Sequence, residues 1–142
     1  MAELLAKVAE ERNGIATEPP VDLEARTRQF ADSVDGTVVA VADGEIVGSL
    51  HVWASRFGFG EIGMAVAQPW RGRGVGSALL AAAIERARDD GLHKLALDVF
   101  PHNEGAIALY RKFGFVEEGR RVKHYRRASG ELWDSIVMGR LL

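Results

Sequence analysis

The sequence predicts an α+β fold, a mixed α/β sandwich in which one mostly antiparallel sheet with a single parallel pair carries helices on both faces. One observation is a hairpin signal, because Asp43-Gly44 separates two apolar runs and glycine tolerates the positive φ of a tight turn. The other is a strand–helix–strand unit over residues 57–100, which requires a right-handed crossover and a parallel pair. The 142 residues, 47% of them hydrophobic, fit a single domain over residues 1–142.

The first half of the chain predicts two helices and then three strands. Residues 2–12 form the first helix, which ends at Asn13-Gly14. Asp22 can cap a second helix that runs to Ser33. The apolar period then changes, and three strands follow, over residues 37–42, 46–53 and 57–67.

The second half of the chain predicts two helices and three strands. An Ala- and Leu-rich helix over residues 74–89 ends at Gly91, where glycine is a common stop. The next helix begins at Asn103 or His102, runs through Lys112 and ends at Gly114. The strands of this half are predicted over residues 94–100, 115–118 and 132–141.

Composition excludes several classes of protein and site. Lys and Arg total 18 against 20 for Asp and Glu, so a strongly basic nucleic-acid-binding domain is not expected. Cysteine is absent, which excludes disulfides, thiolate metal sites and a cysteine nucleophile. The four histidines lack metal-ligand spacing and no Gly-x-Ser-x-Gly motif is present, so we expect neither a metal nor a hydrolase. Without a signal sequence or an apolar span, the expected location is cytoplasmic, with no membrane partner.

A glycine-rich turn, Arg71-Gly72-Arg73-Gly74-Val75-Gly76-Ser77, joins a strand to a helix. Glycines let the backbone approach a ligand, and the unpaired N–H groups of a helix start favour an anion such as a phosphate, to which the two arginines add charge. A tight turn with solvated arginines is the alternative. The Gly-Lys-Ser/Thr of a P-loop is missing. A dinucleotide fingerprint is incomplete, because its third glycine position holds Ser77 or Leu79, although Asp98 follows at a suitable distance for a ribose.

This turn resembles the acetyl-CoA signature Gln/Arg-x-x-Gly-x-Gly/Ala of the GNAT N-acetyltransferases. Val66-Ala67-Gln68-Pro69-Trp70 is similar to the strand end that precedes the loop in this family. Residues 103–115, NEGAIALYRKFGF, resemble the family's Asn-x-x-Ala-x-x-Leu-Tyr-x-x-x-Gly-Phe block. The resemblance covers residues 37–142 and implies a GNAT-like acyl-CoA N-acyltransferase fold, in which the family's first strand is absent, truncated or replaced here.

The resemblance implies an N-acetyltransferase that moves the acetyl group of acetyl-CoA to a primary amine of a small molecule or a protein, by direct attack in a ternary complex. The lack of cysteine agrees with direct transfer, since no cysteinyl acetyl-enzyme can form. The residues that the resemblance assigns to acetyl-CoA are Met64, Ala65, Val66, Arg71, Gly72, Arg73, Gly74, Val75, Gly76, Ser77, Asn103 and Tyr110. The side chains of residues 64–66, taken alone, fit an ordinary core strand.

The resemblance also implies two catalytic residues. Glu61 stands where family members often carry a glutamate that accepts the amine proton, commonly through water, and Asp98 is the rival base. Tyr110 stands at the family's tyrosine position, where a phenol protonates the leaving thiolate. From the residues alone, Glu61 fits a surface acid equally well, Asn103 fits a helix cap, and Tyr110 fits a core face.

Two alternative functions stay open. A non-catalytic acetyl-CoA-binding regulatory module would keep the glycine-rich turn without needing Tyr110, and a dinucleotide-binding oxidoreductase would bind NAD. The acceptor amine is not specified, since one scaffold serves many acceptors. The basic stretch 120–127 falls where the family has a hairpin near the acceptor side or a dimer surface, so a homodimer is one assembly that the resemblance allows. We interpret this stretch as a solvated hairpin with alternating charges, and binding of an acidic protein, an acidic substrate or nucleic acid is the alternative.

Overall fold

The computed structural model describes residues 1–32 and 35–142. Within these residues, helices and strands follow in the order that the sequence predicts. The helices are α1 (Ala2–Ala9), α2 (Leu23–Asp32), α3 (Val75–Asp89) and α4 (Glu104–Lys112). The strands are β1 (Thr37–Ala42), β2 (Glu45–Ala54), β3 (Phe59–Val66), β4 (Lys94–Val99), β5 (Val116–Arg126) and β6 (Leu132–Leu141). A 3₁₀ turn over Gln68–Trp70 joins β3 to the glycine-rich turn.

The strands form one sheet in the order β1-β2-β3-β4-β6-β5. Only β3 and β4 run parallel within this sheet, and the other neighbours are antiparallel. The prediction of a mostly antiparallel sheet with one parallel pair is therefore confirmed. The parallel ladder is short, because it joins residues 59–61 of β3 to residues 94–96 of β4 and ends there.

Helices cover both faces of the sheet, as predicted. The main core lies on the α3 face, and its fully buried members include Leu50, Leu79, Leu80, Leu95 and Met138. Each such side chain contributes about 1.5–3 kcal/mol through its removal from water. On the opposite face, Leu4 and Val8 of α1 pack against Ala65 of β3. Adjacent residues of β3 consequently serve different faces, since side chains alternate along a strand.

Two element ends differ from the predictions by more than two residues. Helix α1 ends at Ala9 rather than at Arg12, because the chain turns there and Arg12 has a positive φ of 57°. Strand β5 continues to Arg126 rather than ending at Glu118. Its residues are nearly all exposed, as is typical of a charged edge strand, so no alternating apolar pattern marks its length. The predicted end of the second helix at Ser33 lies outside the described residues.

The described part of the chain opens with α1, and no strand precedes this helix there. The edge of the sheet next to β2 is formed by β1. None of the described helices is both long enough and apolar enough to cross a membrane.

Arg127, which follows β5, holds the loop between α1 and α2 against the sheet. Its guanidinium donates hydrogen bonds to the backbone carbonyls of Arg12 at 3.2 Å, Ile15 at 3.2 Å and Ala16 at 3.0 Å. It also pairs with the carboxylate of Glu18 at 3.5 Å. Arg127 is only 4% exposed, so these contacts lie largely out of water.

Two aromatic rings complete the surroundings of Arg127. Its guanidinium carbon lies 4.5 Å from the ring centroid of Trp133 and 5.2 Å from that of Phe100, which are distances of cation–π contacts. Buried carbonyls need donors, and the fork of one arginine supplies several at once. The interpretation of residues 120–127 as a solvated hairpin is therefore wrong for Arg127, which is a buried clamp on the loop.

Replacing Arg127 by Met removes these donors and leaves the loop carbonyls without partners. We expect the free energy of unfolding to fall by about 3 kcal/mol in urea denaturation. Amide hydrogen exchange should also accelerate in residues 12–18. The exposed neighbour Arg126 provides the matched control, and Arg126→Met should change the free energy of unfolding by less than about 0.5 kcal/mol. Equal losses in the two variants would contradict the clamp.

Candidate active site

A cleft of about 930 Å³ lies where β3 and β4 separate. Its walls come from β3 and β4, the glycine-rich turn, α4, and the loop between α1 and α2. This volume is within the range of sites that hold organic ligands.

The two strands separate because their ladder ends at the pair Glu61–Ala96. Beyond this pair, β3 is bonded to β2 on its outer side and β4 is bonded to β6 on its outer side. The sheet therefore stays continuous at its edges while its middle opens. Peptide groups along the opening have no neighbouring strand to pair with, so they need other partners.

The register of β3 on β2 determines which peptide groups face the gap. The N–H of Ala67 donates to the carbonyl of Val47 at 2.8 Å. In an antiparallel ladder, residues that bond to the neighbouring strand alternate with residues that do not. The peptide groups of Ala65 therefore face β2, whereas those of Met64 and Val66 face the gap. Of the three predicted strand residues, two thus carry peptide groups on the gap side.

Two glycines of the turn are favoured by their backbone conformation. Gly72 and Gly74 have φ values of 68° and 85°, in the left-handed region that glycine adopts at little cost. At Gly76 a Cβ atom would lie 2.8 Å from Cδ2 of Leu109 in α4, so the Leu109 side chain would have to shift. Gly74 is the N-cap of α3, and no side chain caps this helix. Its first N–H groups are consequently available to an anionic ligand.

The two arginines of the turn have partners within the protein. Arg71 forms a forked ion pair with Glu11, at 2.6 and 2.8 Å, and its Nε donates to the carbonyl of Val66 at 3.0 Å. The guanidinium of Arg73 lies over the ring of Trp70, 4.4 Å from its centroid. Arg71 lines the cleft, and Arg73 is not among the lining residues.

Most of the residues predicted to bind acetyl-CoA come together at this cleft. The lining includes Met64, Ala65, Val66, Arg71, Gly72, Gly74, Gly76, Ser77, Asn103 and Tyr110. Val75 packs against the main core instead. Asn103 caps α4, because its Oδ1 accepts a hydrogen bond from the N–H of Ala106 at 3.4 Å, so the interpretation as a cap is confirmed.

Tyr110 of α4 lines the cleft from a buried position. It is 7% exposed, and its ring contacts that of Phe115 with centroids 5.8 Å apart. Burial raises the pKa of Tyr110 to about 12. The phenol therefore keeps its proton at neutral pH and is available as a hydrogen-bond donor.

Two carboxylates reach the cleft from the sheet face opposite the main core. Glu61 ends the parallel ladder, and Asp98 lies further along β4. Asp98 accepts a hydrogen bond from the hydroxyl of Ser135 at 2.9 Å and pairs with Arg121 at 3.5 Å. Burial raises the pKa of Tyr125, and the charges of Asp98 and Glu61 raise it further against the opposing charge of Arg121. The charges of both carboxylates therefore raise the pKa of the same phenol, that of Tyr125.

His51 is a cleft residue that the sequence analysis missed. It is buried in β2, its Nδ1 is hydrogen-bonded to the hydroxyl of Thr37 at 2.7 Å, and its ring lies 4.5 Å from that of Trp53. Burial lowers the pKa of His51, so the ring is uncharged at neutral pH. Side chains alternate between the two faces of a strand, so His51 and Trp53 lie on the same face of β2. This pattern is the sequence signal that could have identified His51 as a cleft residue. The described residues contain no group of three or more His, Asp or Glu side chains arranged to hold a metal ion.

The chain is similar to known acetyltransferases in sequence and in structure. The model of the acetyltransferase (GNAT) family matches residues 3–115. The L-amino acid N-acetyltransferase AaaT of Escherichia coli (strain K12) is 36% identical over 110 residues, which cover 73% of this chain and 67% of that protein. The ribosomal-protein-alanine N-acetyltransferase from Brucella melitensis has a TM-score of 0.90 at 29% identity, covering 99% of this chain and 91% of its own.

A third protein has the same fold and was solved with a ligand. It is the GNAT superfamily phosphinothricin acetyltransferase from Sinorhizobium meliloti, in complex with AcCoA. Its TM-score is 0.87 at 22% identity, over 99% of this chain and 80% of its own. The names of the three proteins specify different acceptors, while the fold is shared. With a family model that spans most of its length, and a sheet that opens beside a glycine-rich helix start, the chain belongs to the GNAT family of acetyltransferases.

Proposed function

We propose that this protein transfers the acetyl group of acetyl-CoA to a primary amine by direct attack in a ternary complex. One observation carries the proposal. The gap between β3 and β4 opens beside the uncapped N-terminus of α3 on one side and beside two carboxylates on the other. A thioester with a phosphate-bearing tail and an amine thus have separate sites that meet at the gap.

The residues present fit acetyl-CoA as a substrate. The N–H groups that begin α3 provide donors for a pyrophosphate, with the positive end of the helix dipole behind them. The gap-facing peptide groups of Met64 and the N–H of Val66, whose carbonyl accepts from Arg71, provide hydrogen bonds for an amide-containing arm. An N–H group on this strand edge can also stabilise the negative charge that develops on the thioester oxygen during attack.

The amine side needs a group that removes a proton. Glu61 is exposed to the cleft at the point where the ladder ends, so its carboxylate can take a proton from the incoming ammonium directly or through water. Asp98 is already held by Arg121 and Ser135. We therefore assign the base to Glu61 and a supporting negative charge to Asp98.

The leaving group needs a proton, which we assign to Tyr110. The nitrogen–carbon bond forms as the carbon–sulfur bond breaks, and the electron pair of that bond goes to sulfur. Because the pKa of Tyr110 is raised, the phenol is protonated at the start of each turnover. The phenol stabilises the leaving thiolate by donating a hydrogen bond, and where its proton passes fully to sulfur the phenolate takes a proton from solvent before the next turnover. A regulatory module without catalysis would have no use for this arrangement.

Gly74 tests the anion site at the start of α3. Gly74→Asp and Gly74→Asn add side chains of equal size into open space, at a φ of 85° that both residues tolerate better than most. Only the first adds a negative charge. We expect Gly74→Asp to raise the dissociation constant of acetyl-CoA about tenfold above that of Gly74→Asn in calorimetry. Equal constants for the two variants would refute an anion site here.

Tyr110→Phe tests the proton donor. We expect kcat to fall about 100-fold, while the dissociation constant of acetyl-CoA changes by less than about twofold. The pH profile of the unmodified protein should show no loss of kcat from Tyr110 ionisation near its ordinary pKa of 10, because burial moves that pKa to about 12. Unchanged turnover in a folded Tyr110→Phe protein would remove Tyr110 from the mechanism.

Glu61→Gln tests the base, with Asp98→Asn as the matched removal of a carboxylate from the same face. We expect Glu61→Gln to lower kcat/KM about 100-fold at pH 7 and to recover toward alkaline pH, where the free amine needs no base. Asp98→Asn should cost less than about tenfold. A larger loss for Asp98→Asn would transfer the assignment to Asp98.

A further inference from the structure

One arginine in the cleft differs from the others in its partners. Arg26, Arg71 and Arg121 are the arginines that line it. Arg71 pairs with Glu11, and Arg121 pairs with Asp98. Within the described part of the chain, Arg26 has no carboxylate within 4.0 Å. Its two guanidinium nitrogens donate to neutral groups instead.

Those neutral groups hold Arg26 in place. Nη1 donates to Oε1 of Gln29 at 2.7 Å, and Nη2 lies 3.5 Å from the hydroxyl of Thr17. The neighbour of Thr17 in the chain, Ala16, is bonded through its carbonyl to the buried Arg127. Arg26 is itself partly buried. A positive charge is thus oriented and partly desolvated at the cleft without an internal counter-ion in the described residues.

Two carboxylates on the sheet side of the cleft carry the opposite charge to Arg26. Glu61 and Asp98 line the same space from the sheet, and the charge of Asp98 is partly balanced by Arg121. An acceptor that complements both the carboxylates and Arg26 needs a positive group for the carboxylates and a negative group for Arg26. The planar fork of arginine matches the geometry of a carboxylate, which it can bind through two parallel hydrogen bonds.

We propose that the acceptor is a free α-amino acid, whose amine faces Glu61 and whose carboxylate is bound by Arg26. This inference rests on the proposed acetyl transfer and specifies its acceptor class. The uncharged rings of His51 and Trp53 line the cleft beside Glu61, so they favour an uncharged acceptor side chain. Arg26 is then a specificity-determining residue that has no role in the chemical step.

The test compares acceptors that differ only at the carboxylate. L-leucine, L-methionine and L-phenylalanine are each assayed beside their carboxamides and their decarboxylated amines, with acetyl-CoA and detection of released thiol. An alanine-initiated peptide provides the protein-like acceptor. We expect kcat/KM for the best amino acid to exceed that of its carboxamide, its decarboxylated amine and the peptide by about 10- to 100-fold.

Arg26→Met should remove this preference. We expect it to lower kcat/KM for the amino acid about 10- to 100-fold through KM, and to leave the carboxamide within about threefold. The unchanged carboxamide reaction shows that the variant is folded. Arg28→Met is the matched control, because Arg28 lies on the same helix in an exposed pair with Glu24 at 3.8 Å. It should leave both reactions unchanged.

The possible failures are distinguishable. Acetylation of carboxamides, amines or the peptide as fast as the amino acids would overturn the acceptor assignment and leave acetyl transfer intact. Equal losses for both acceptors in Arg26→Met would also overturn it. If none of these acceptors causes thiol release, the proposed acceptor class is overturned. If acetyl-CoA does not bind, the proposed function itself fails.

Discussion

The structure depends on a parallel ladder that stops early. Strands β3 and β4 are paired over residues 59–61 and 94–96, and the cleft follows from what happens beyond them. If pairing continued, the peptide groups of Met64 and Val66 would bond to β4 and the sheet would be closed. Because each strand keeps its outer partner, the opening costs only the bonds of the gap, each worth about 1 kcal/mol net when formed. Those unmade bonds are the donors and acceptors that a ligand can use.

The gap and the start of α3 form one continuous binding edge. Strand β3 leads through a 3₁₀ turn and the glycine-rich turn directly into the helix, so unpaired strand groups are followed by unpaired helix N–H groups. Arg71 fixes this edge, because it bonds the carbonyl of Val66 and pairs with Glu11 beyond α1. Leu109 of α4 reaches the space beside Gly76, and Tyr110 of the same helix lines the cleft. Such an edge is organised before a ligand binds, which lowers the entropy cost of binding.

Local patterns in the sequence were sufficient for the order of the elements, the glycine-rich turn and the cap at Asn103, since each depends on neighbouring residues. The gap could be expected only through the family resemblance, because the point where a ladder ends depends on strands that are distant in the chain. Arg71 and Glu11 are 60 residues apart, and Arg127 reaches carbonyls more than 110 residues away. The spacing of apolar residues along the chain cannot predict contacts between residues so far apart in the sequence. The predicted length of strand β5 was too short for a related reason. Both faces of this edge strand are exposed, so its sequence lacks the alternation of apolar and polar residues that marks a strand.

The acetyl-CoA half of the cleft is formed by backbone groups, and the acceptor half is formed by side chains. This difference explains how one fold serves different acceptors. The acetyl-CoA half consists of backbone groups, and changing them would require changing the sheet gap or the helix start. The acceptor half consists of side chains, several of them on α2 and on the loop that Arg127 holds. A side chain on that segment can be replaced while the gap stays as it is, because the loop is attached largely through its backbone carbonyls, with Glu18 and Ile15 as side-chain anchors. Arg26 lies on this segment, so the proposed acceptor contact is made by a residue that the shared fold leaves free to vary.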